Sequence, residues 1–301
     1  MTTMLSVAQA VANELGLPPI TFVVGNTSQD VIQILALMNA AGTELCMEHN
    51  WRALDKEYRF TTQWHQSVAT TTTGSAIVTG IDSTVGLVAG TYMVTGSGIP
   101  QDTYILSVDT LTQVTLTQVA TATDSTSTLT FGQQKYSLPS DYDRMVDRTQ
   151  WDKTKHWEML GPESAQQWQW LKSGYIATGP RLRWRMLGTT FQIWPIISTS
   201  EYLGFEYISN GWAESAAGVA QSSFQADTDT FMFVPRLMIL LTKKKYFEIK
   251  GFDSTNIVRD YIRYLNVAKA EDTGAATLSF AAKPSQVLVG WANIPDSGYG
   301  T

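Results

Sequence analysis

The feature that most constrains the fold is a gap in the basic residues. No Lys or Arg occurs between Arg59 and Lys135, although the chain has 21 of them. Thr, Ser, Val and Gly fill the gap, most densely in "GSGIPQDTYILSVDTLTQVTLTQVATATDSTSTLTF" over 96–131. Branched side chains suit a pleated sheet surface and lose freedom in a helix. Short β-type runs at 76–78, 91–95, 104–108, 114–119 and 128–131 are punctuated by Gly74, Gly86, Gly90, Gly96, Gly98 and Pro100. Short strands at regular spacing with turn residues between them predict a small all-β sandwich or barrel over 67–133. Large apolar side chains are few there, so its core is thin.

The flanks read differently. Residues 6–15 form an amphipathic pattern closed by Gly16, and Pro18 and Pro19 bar its continuation. A second helix starts after Thr27 or Ser28 with Asp30 in its first turn. It sets Val31, Ile34, Leu35, Met38, Ala41, Leu45 and Cys46 on one face and runs to near Trp51. Residues 56–64 alternate as a strand. Beyond the block, Pro162 at a first helical position opens a helix to 173, closed by Gly174. Residues 181–186 and 190–195 form a hairpin around Leu187, Gly188 and Thr189, and 201–208 adds a third strand. Residues 210–230 read as a polar loop. A helix spans 233–250, with Pro235 near its start and Gly251 after its end, and Ser254 or Thr255 caps a last helix to 270. No period continues from Glu271.

The expected class is therefore α+β. A helical host over 1–66 and 134–270 carries a hairpin or short sheet, a Thr-rich β domain is inserted at 67–133, and an extended tail covers 271–301. Insertions of this kind are tolerated in surface loops whose ends lie close together.

The net charge is −6, and Asp82, Asp102, Asp109 and Asp124 of the block carry four of those charges. A chain of this balance has no phosphate-neutralising surface for a tight, non-specific grip on DNA. Cys46 is the single cysteine, which allows no intramolecular disulfide and fits a reducing compartment or a protein that needs no covalent staples. The first residues lack a basic stretch and include Asn13 and Glu14, unlike a signal peptide. The longest apolar run, 237–241, is far short of the roughly 18–20 residues of a membrane span. No membrane partner is expected.

Motifs for chemistry are weak. Cys46 and His49 stand at i, i+3 on a helix, but a structural zinc site takes four ligands, and a buried thiol beside a helix-end imidazole is the simpler reading. No H-E-x-x-H, G-x-S-x-G or phosphate-loop motif occurs, and Gly96-Ser97-Gly98 is a turn with no helix after it. Asp141, Asp143, Asp147 and Asp152 offer carboxylate pairs such as glycoside hydrolysis uses, or ion pairs with the interleaved Arg144 and Arg148. Trp151, Trp157, Trp168, Trp170, Trp184, Trp194 and Trp212 could stack sugars or fill a core or interface. Lys243, Lys244 and Lys245 form the one dense basic run, a weak DNA contact or a solvated helix face. Neither catalysis nor a cofactor is expected.

An arrangement of phrases points further. Two N-terminal helices end in "ELCMEHNWRALDKEYRF"; then come a β segment, "YSLPSDYDRMVD", a Trp-rich stretch, the strand pair "RLRWRMLGTTFQIWP", and terminal helices with an irregular tail. Over about 5–66 and 134–270 this resembles the head-to-tail connector, or adaptor, proteins of tailed bacteriophages. Tyr136, Leu138, Pro139, Asp141, Tyr142 and Arg144 match a Y-x-L-P-x-D-[YF]-x-R phrase common in such virion proteins. "GSGIPQDTYILSV" is similar to a phrase in the small β modules of phage structural proteins, although the simplest connectors lack such a module. The resemblance implies a homo-oligomeric ring, usually a dodecamer, at the head-tail junction of a virion assembled in the host cytoplasm. Its partners would be the portal protein, a tail or nozzle protein, and double-stranded DNA passing without sequence readout. The low-charge tail with Val287, Leu288, Val289 and Trp291 is the candidate portal-docking segment. An alternative reading is a carbohydrate-binding or host-contacting tail component.

Overall fold

The computed structural model describes residues 2–174 and 181–273. Helix α1 (Met4–Leu15) begins where the Thr3 hydroxyl accepts from the Ser6 amide, and ends at Gly16 in the left-handed region, φ 69°. Helix α2 (Gln29–Glu48) follows Ser28 and buries the expected Val31, Ile34, Met38, Ala41, Leu45 and Cys46, and also Leu37 and Gly42. It stops short of Trp51, whose indole folds back to donate to the Leu45 carbonyl at 2.6 Å.

The strand expected over 56–64 is two strands. Strand β1 (Asp55–Thr61) ends where the Thr62 amide donates to the Glu201 carbonyl, and β2 (Trp64–Thr71) turns away into the Thr-rich block. There β3 (Ile77–Thr79), β4 (Tyr92–Gly96), β5 (Ile105–Thr110), β6 (Gln113–Leu116) and β7 (Asp124–Gln133) complete an antiparallel six-stranded sheet of order β4-β7-β2-β3-β6-β5. Its two ends meet at a single bridge between Met93 and Tyr104, so the sheet is not a closed barrel. Val78, Ile81, Val94, Ile105, Val114, Leu129 and Phe131 form its small core. The sheet takes in Trp64, His65 and Gln66, ahead of the change in composition at 67.

After the block come β8 (Lys135–Ser137), β9 (Tyr142–Met145), β10 (Trp151–Asp152), β11 (Trp157–Glu158), helix α3 (Ala165–Lys172), β12 (Arg183–Leu187), β13 (Thr190–Trp194) and β14 (Tyr202–Ser209). The hairpin β12-β13 forms as expected, but its third strand is β8, not the 201–208 segment. That segment, β14, pairs with β1, β9 and β10 in a separate sheet. The two sheets face one another across Phe60, Tyr136, Trp184, Phe191, Phe205 and Tyr207. Both strand faces carry large aromatics, and stacking Phe191 on Phe205 at 5.1 Å buries more apolar surface than edge-to-edge pairing would.

Helix α3 corrects another expectation. Pro162 lies before the helix, and Ser164 is the cap. Its hydroxyl accepts from the Gln167 amide while the Gln167 side chain accepts from the Ser164 amide, a reciprocal pair that outweighs the proline signal. The polar loop expected at 210–230 is partly core. Strands β15 (Ala213–Glu214), β16 (Ala220–Gln221) and β17 (Thr230–Phe231) form a small sheet that carries Trp212 and Phe224 against the helices. Helices α4 (Pro235–Lys250), closed by Gly251 at φ 73°, and α5 (Thr255–Thr273) complete the helical layer. Helix α5 extends through Glu271, Asp272 and Thr273, beyond the expected end at 270, because Arg52 holds its last turn. The Arg52 amide donates to the Asp272 carboxylate and the guanidinium to the Thr273 carbonyl at 2.9 Å. The five helices and four antiparallel sheets among the described residues make the protein α+β.

Candidate functional site

The loop that carries the connector-like phrase joins three parts of the fold. Tyr136 is buried between the sheets, and its hydroxyl donates to the Gln133 carbonyl at 3.0 Å, at the exit from the block. Pro139 closes a turn by accepting from the Tyr142 amide at 3.1 Å. That turn aims the Asp141 carboxylate at Lys56 Nζ (2.7 Å), the Tyr207 hydroxyl (2.9 Å) and the Ser209 hydroxyl (2.7 Å). Burial pushes this carboxyl up, but those three donors outweigh burial and hold it below the ordinary aspartate value. Tyr142 stacks on Tyr207 at 5.8 Å. Arg144 donates to Asn50 at the end of α2 (2.7 Å) and to Asp143 (2.6 Å). The Tyr136 hydroxyl, the Asp141 carboxylate and the Arg144 guanidinium are thus spent on internal bonds, which makes the loop a clamp.

The other carboxylates divide. Asp143 pairs with Arg144 as one sequence reading has it, whereas Asp141 takes Lys56. Asp152 lies in the sheet at 3% exposure, and its neighbour is Glu201 at 1%. A pairing across 49 positions leaves no local signal. Cys46 and His49 do not converge on a metal: the thiol donates to the Ser209 carbonyl at 3.8 Å, and His49 Nε2 lies 3.2 Å from Asp272. Among the described residues no cluster of three or more ligating side chains is present.

Trp168, Trp184, Trp194 and Trp212 are buried, while Trp151 and Trp157 are half-buried. Trp170 differs. At 56% exposure it lines an open depression with Ser164, Gln166 and Gln167. Trp168 and Trp194 join with Leu171 and Met93 in a cluster that seats the Thr-rich sheet on the rest of the protein. Lys172 pairs with Asp102 at 2.7 Å across the same seam and lies over the Tyr104 ring.

The lysine run on α4 is paired residue by residue. Lys243 binds Glu14 of α1 at 2.7 Å, Lys244 faces Glu248 at 3.9 Å, and Lys245 binds Glu44 of α2. Arg236 also reaches Glu14. Burial pushes Glu14 upward, but Lys243 and Arg236 hold it below the ordinary glutamate value. The sequence shows the run and, at i+4, Glu248, but not Glu14 and Glu44, which come from two other helices. Val287, Leu288, Val289 and Trp291 lie outside the described residues. No helix among the described residues is long and apolar enough to cross a membrane. No family model matches the chain. No curated protein matches it either.

Proposed function

We propose that the protein is a non-catalytic virion component, a head-to-tail adaptor that assembles below the portal as a ring, a dodecamer as is usual for the connectors it resembles. It extends the DNA channel, helps to retain the genome and presents a platform for the tail or nozzle protein. The Thr-rich sheet is a module inserted into this host, and the C-terminal segment with Val287, Leu288, Val289 and Trp291 docks on the portal. One observation carries the reading: the Asp141 clamp. The residues that resemble the connector phrase tie together β1 through Lys56, β14 through Tyr207 and Ser209, and Asn50 just after α2, as expected of a phrase that marks an architecture. Exposed apolar side chains on the outer helices, among them Met47 and Ile249, supply material for the two unlike patches that a head-to-tail ring needs.

Native mass spectrometry and electron microscopy of the purified protein, alone and with portal, test the proposal. A closed ring with a central channel is the expected result, and a monomer that ignores the portal overturns it. Exposed Trp170 beside two glutamines favours the second reading, a host-contacting component that stacks sugars. A glycan screen in which Trp170→Ala abolishes a specific hit would select that reading.

A further inference from the structure

Charge is sorted between two parts of the surface. Helix α5 buries Tyr261, Leu265 and Ala268 in the helical core and turns Arg259, Ile262, Arg263, Tyr264 and Val267 to solvent. Arg259 and Arg263 stand one turn apart on the same face. The glutamates of α1, α2 and α4 are taken by other cations: Glu14 by Arg236 and Lys243, Glu44 by Lys245, Glu48 by Lys269 and Glu248 by Lys244. Neither arginine of α5 makes an ion pair among the described residues. The Thr-rich sheet is the converse, with four Asp and no Lys or Arg. Asp82 meets His65, and Asp102 meets Lys172 of α3. Asp124 is held by Thr126 among polar neighbours. Asp109 also lacks a cation among the described residues. It accepts from the Ser107 and Thr115 hydroxyls, each at 2.7 Å, and these fix the carboxylate and hold it below the ordinary aspartate value. Its surroundings are apolar: Leu106 and Leu111 are 60% and 70% exposed. Val85, 79% exposed, stands beside Leu111, because the Thr84 amide donates to the Leu111 carbonyl at 3.0 Å.

We infer that the Asp109 patch of one copy of this chain docks on the α5 patch of the next copy. The inference rests on the ring proposed above and names its contact. Each patch combines exposed apolar side chains with charge of one sign that has no partner in its own chain, so each fits the other. Each also rejects itself. A contact between two α5 patches would set arginines against arginines, and a contact between two sheet patches would set carboxylate against carboxylate. That disfavours a twofold dimer through either surface and leaves a head-to-tail contact, the kind that closes into a ring. Guanidinium groups suit the role, because they hold a carboxylate by paired hydrogen bonds and give up water more readily than an ammonium does. Nucleic acid is the poorer match. Phosphates would satisfy Arg259 and Arg263 but not Ile262, Tyr264 and Val267 around them, whereas Leu106, Leu111 and Val85 offer apolar surface to these side chains and Asp109 a carboxylate to the arginines.

The test uses the full chain, read by native mass spectrometry and sedimentation. Arg259→Glu together with Arg263→Glu should raise the concentration for half-assembly by about tenfold or more, and Asp109→Lys should do the same. All three substitutions in one chain should recover most of that loss. A second measurement does not depend on charge. Leu111→Cys in one population and Ile262→Cys in another, with Cys46 buried, are mixed and treated with a short bis-maleimide. The mixture should give dimers linked between positions 111 and 262, and neither population alone should. Wild type that stays monomeric at every concentration, alone and with portal, overturns the ring and this contact together. Rings that form equally well in every variant overturn the contact and leave the ring. Reversals that weaken assembly without recovery in the combined chain, or assembled protein that gives no link, overturn the pairing of these two patches. Loss of salt-sensitive binding to duplex DNA on reversing the two arginines, with assembly unchanged, assigns the α5 patch to DNA and overturns the proposal.

Discussion

At the scale of single residues, the interior is decided by contacts that no local pattern encodes. Gly42 sits in the middle of α2, where glycine costs helix stability, yet a β-carbon there would overlap the Trp212 indole. The expected gain in propensity for Gly42→Ala is therefore reversed. Overpacking should destabilise the protein by about 1–3 kcal/mol, read as a lower urea midpoint with an unchanged slope. Asp141 makes the complementary case. Its carboxyl is held below the ordinary value, so the stability it contributes is present above the unfolded-state value and lost as pH falls through the folded one. Asp141→Asn keeps the shape but loses the charge-assisted bonds to Lys56, Tyr207 and Ser209. It should cost about 2 kcal/mol near neutral pH and much less in acid, where the wild-type group is itself protonated; paired denaturant curves measure the difference. Cys46, buried and with its thiol pushed up by burial first and by Asp143 next, should resist alkylation until the protein unfolds.

At the scale of elements, ion pairs bind α4 to its neighbours. Changing Lys243, Lys244 and Lys245 together to Gln removes cations from Glu14, Glu248 and Glu44. Partly exposed pairs contribute about 0.2–1 kcal/mol each, so the triple variant should lose about 1–2 kcal/mol and melt earlier. DNA retardation at low and high salt, run on the same variant, measures whether any weak, salt-sensitive binding goes with it; little change is expected if the pairs persist in solution. Helix boundaries were largely legible, because Gly16, Gly251 and Pro235 act through local backbone geometry and meet the chain where the sequence shows them. Pairing between distant strands was not. The 201–208 segment reads as a strand, but nothing in its own residues says whether β13 or β1 is its neighbour, and large aromatics on both faces decided for a second sheet. Trp212 and Phe224 were hidden in a polar stretch because two isolated rings make no period. Of the candidate site residues, the lysine run and the Asp141 phrase were visible, while their partners lie up to 229 positions away in sequence.

At the scale of the whole molecule, the Thr-rich sheet is fastened as well as inserted. Excising 67–133 behind a short linker would cut β2 in two and uncover Trp168, Leu171 and Trp194, which pack on Met93. Excision of 64–133 removes the strand whole but leaves the same apolar seat open. Both deletions should keep the helical layer, whose core contains no residue of the block, and both should bind a hydrophobic dye more strongly than the full chain. Replacing Trp168 and Leu171 by polar residues in the longer deletion should reverse the dye binding. Circular dichroism that reports loss of the helices would instead place the block within one cooperative unit with them.

The root of the inserted sheet has a mechanical meaning. The chain leaves through Gln63 and returns through Gln133, whose amide donates to the Gln63 carbonyl at 2.8 Å, and β2 and β7 run outward side by side from that point. A pull on the far end, near Thr71 and Asp124, travels to the body along two covalent strands in parallel. The hydrogen bonds between those strands lie across the load and are not sheared by it. Leu129 and Phe131 of β7 belong to the thin core, but the load runs along covalent backbone and not through side-chain packing, so the module can bear tension well beyond what its small store of buried apolar surface would suggest.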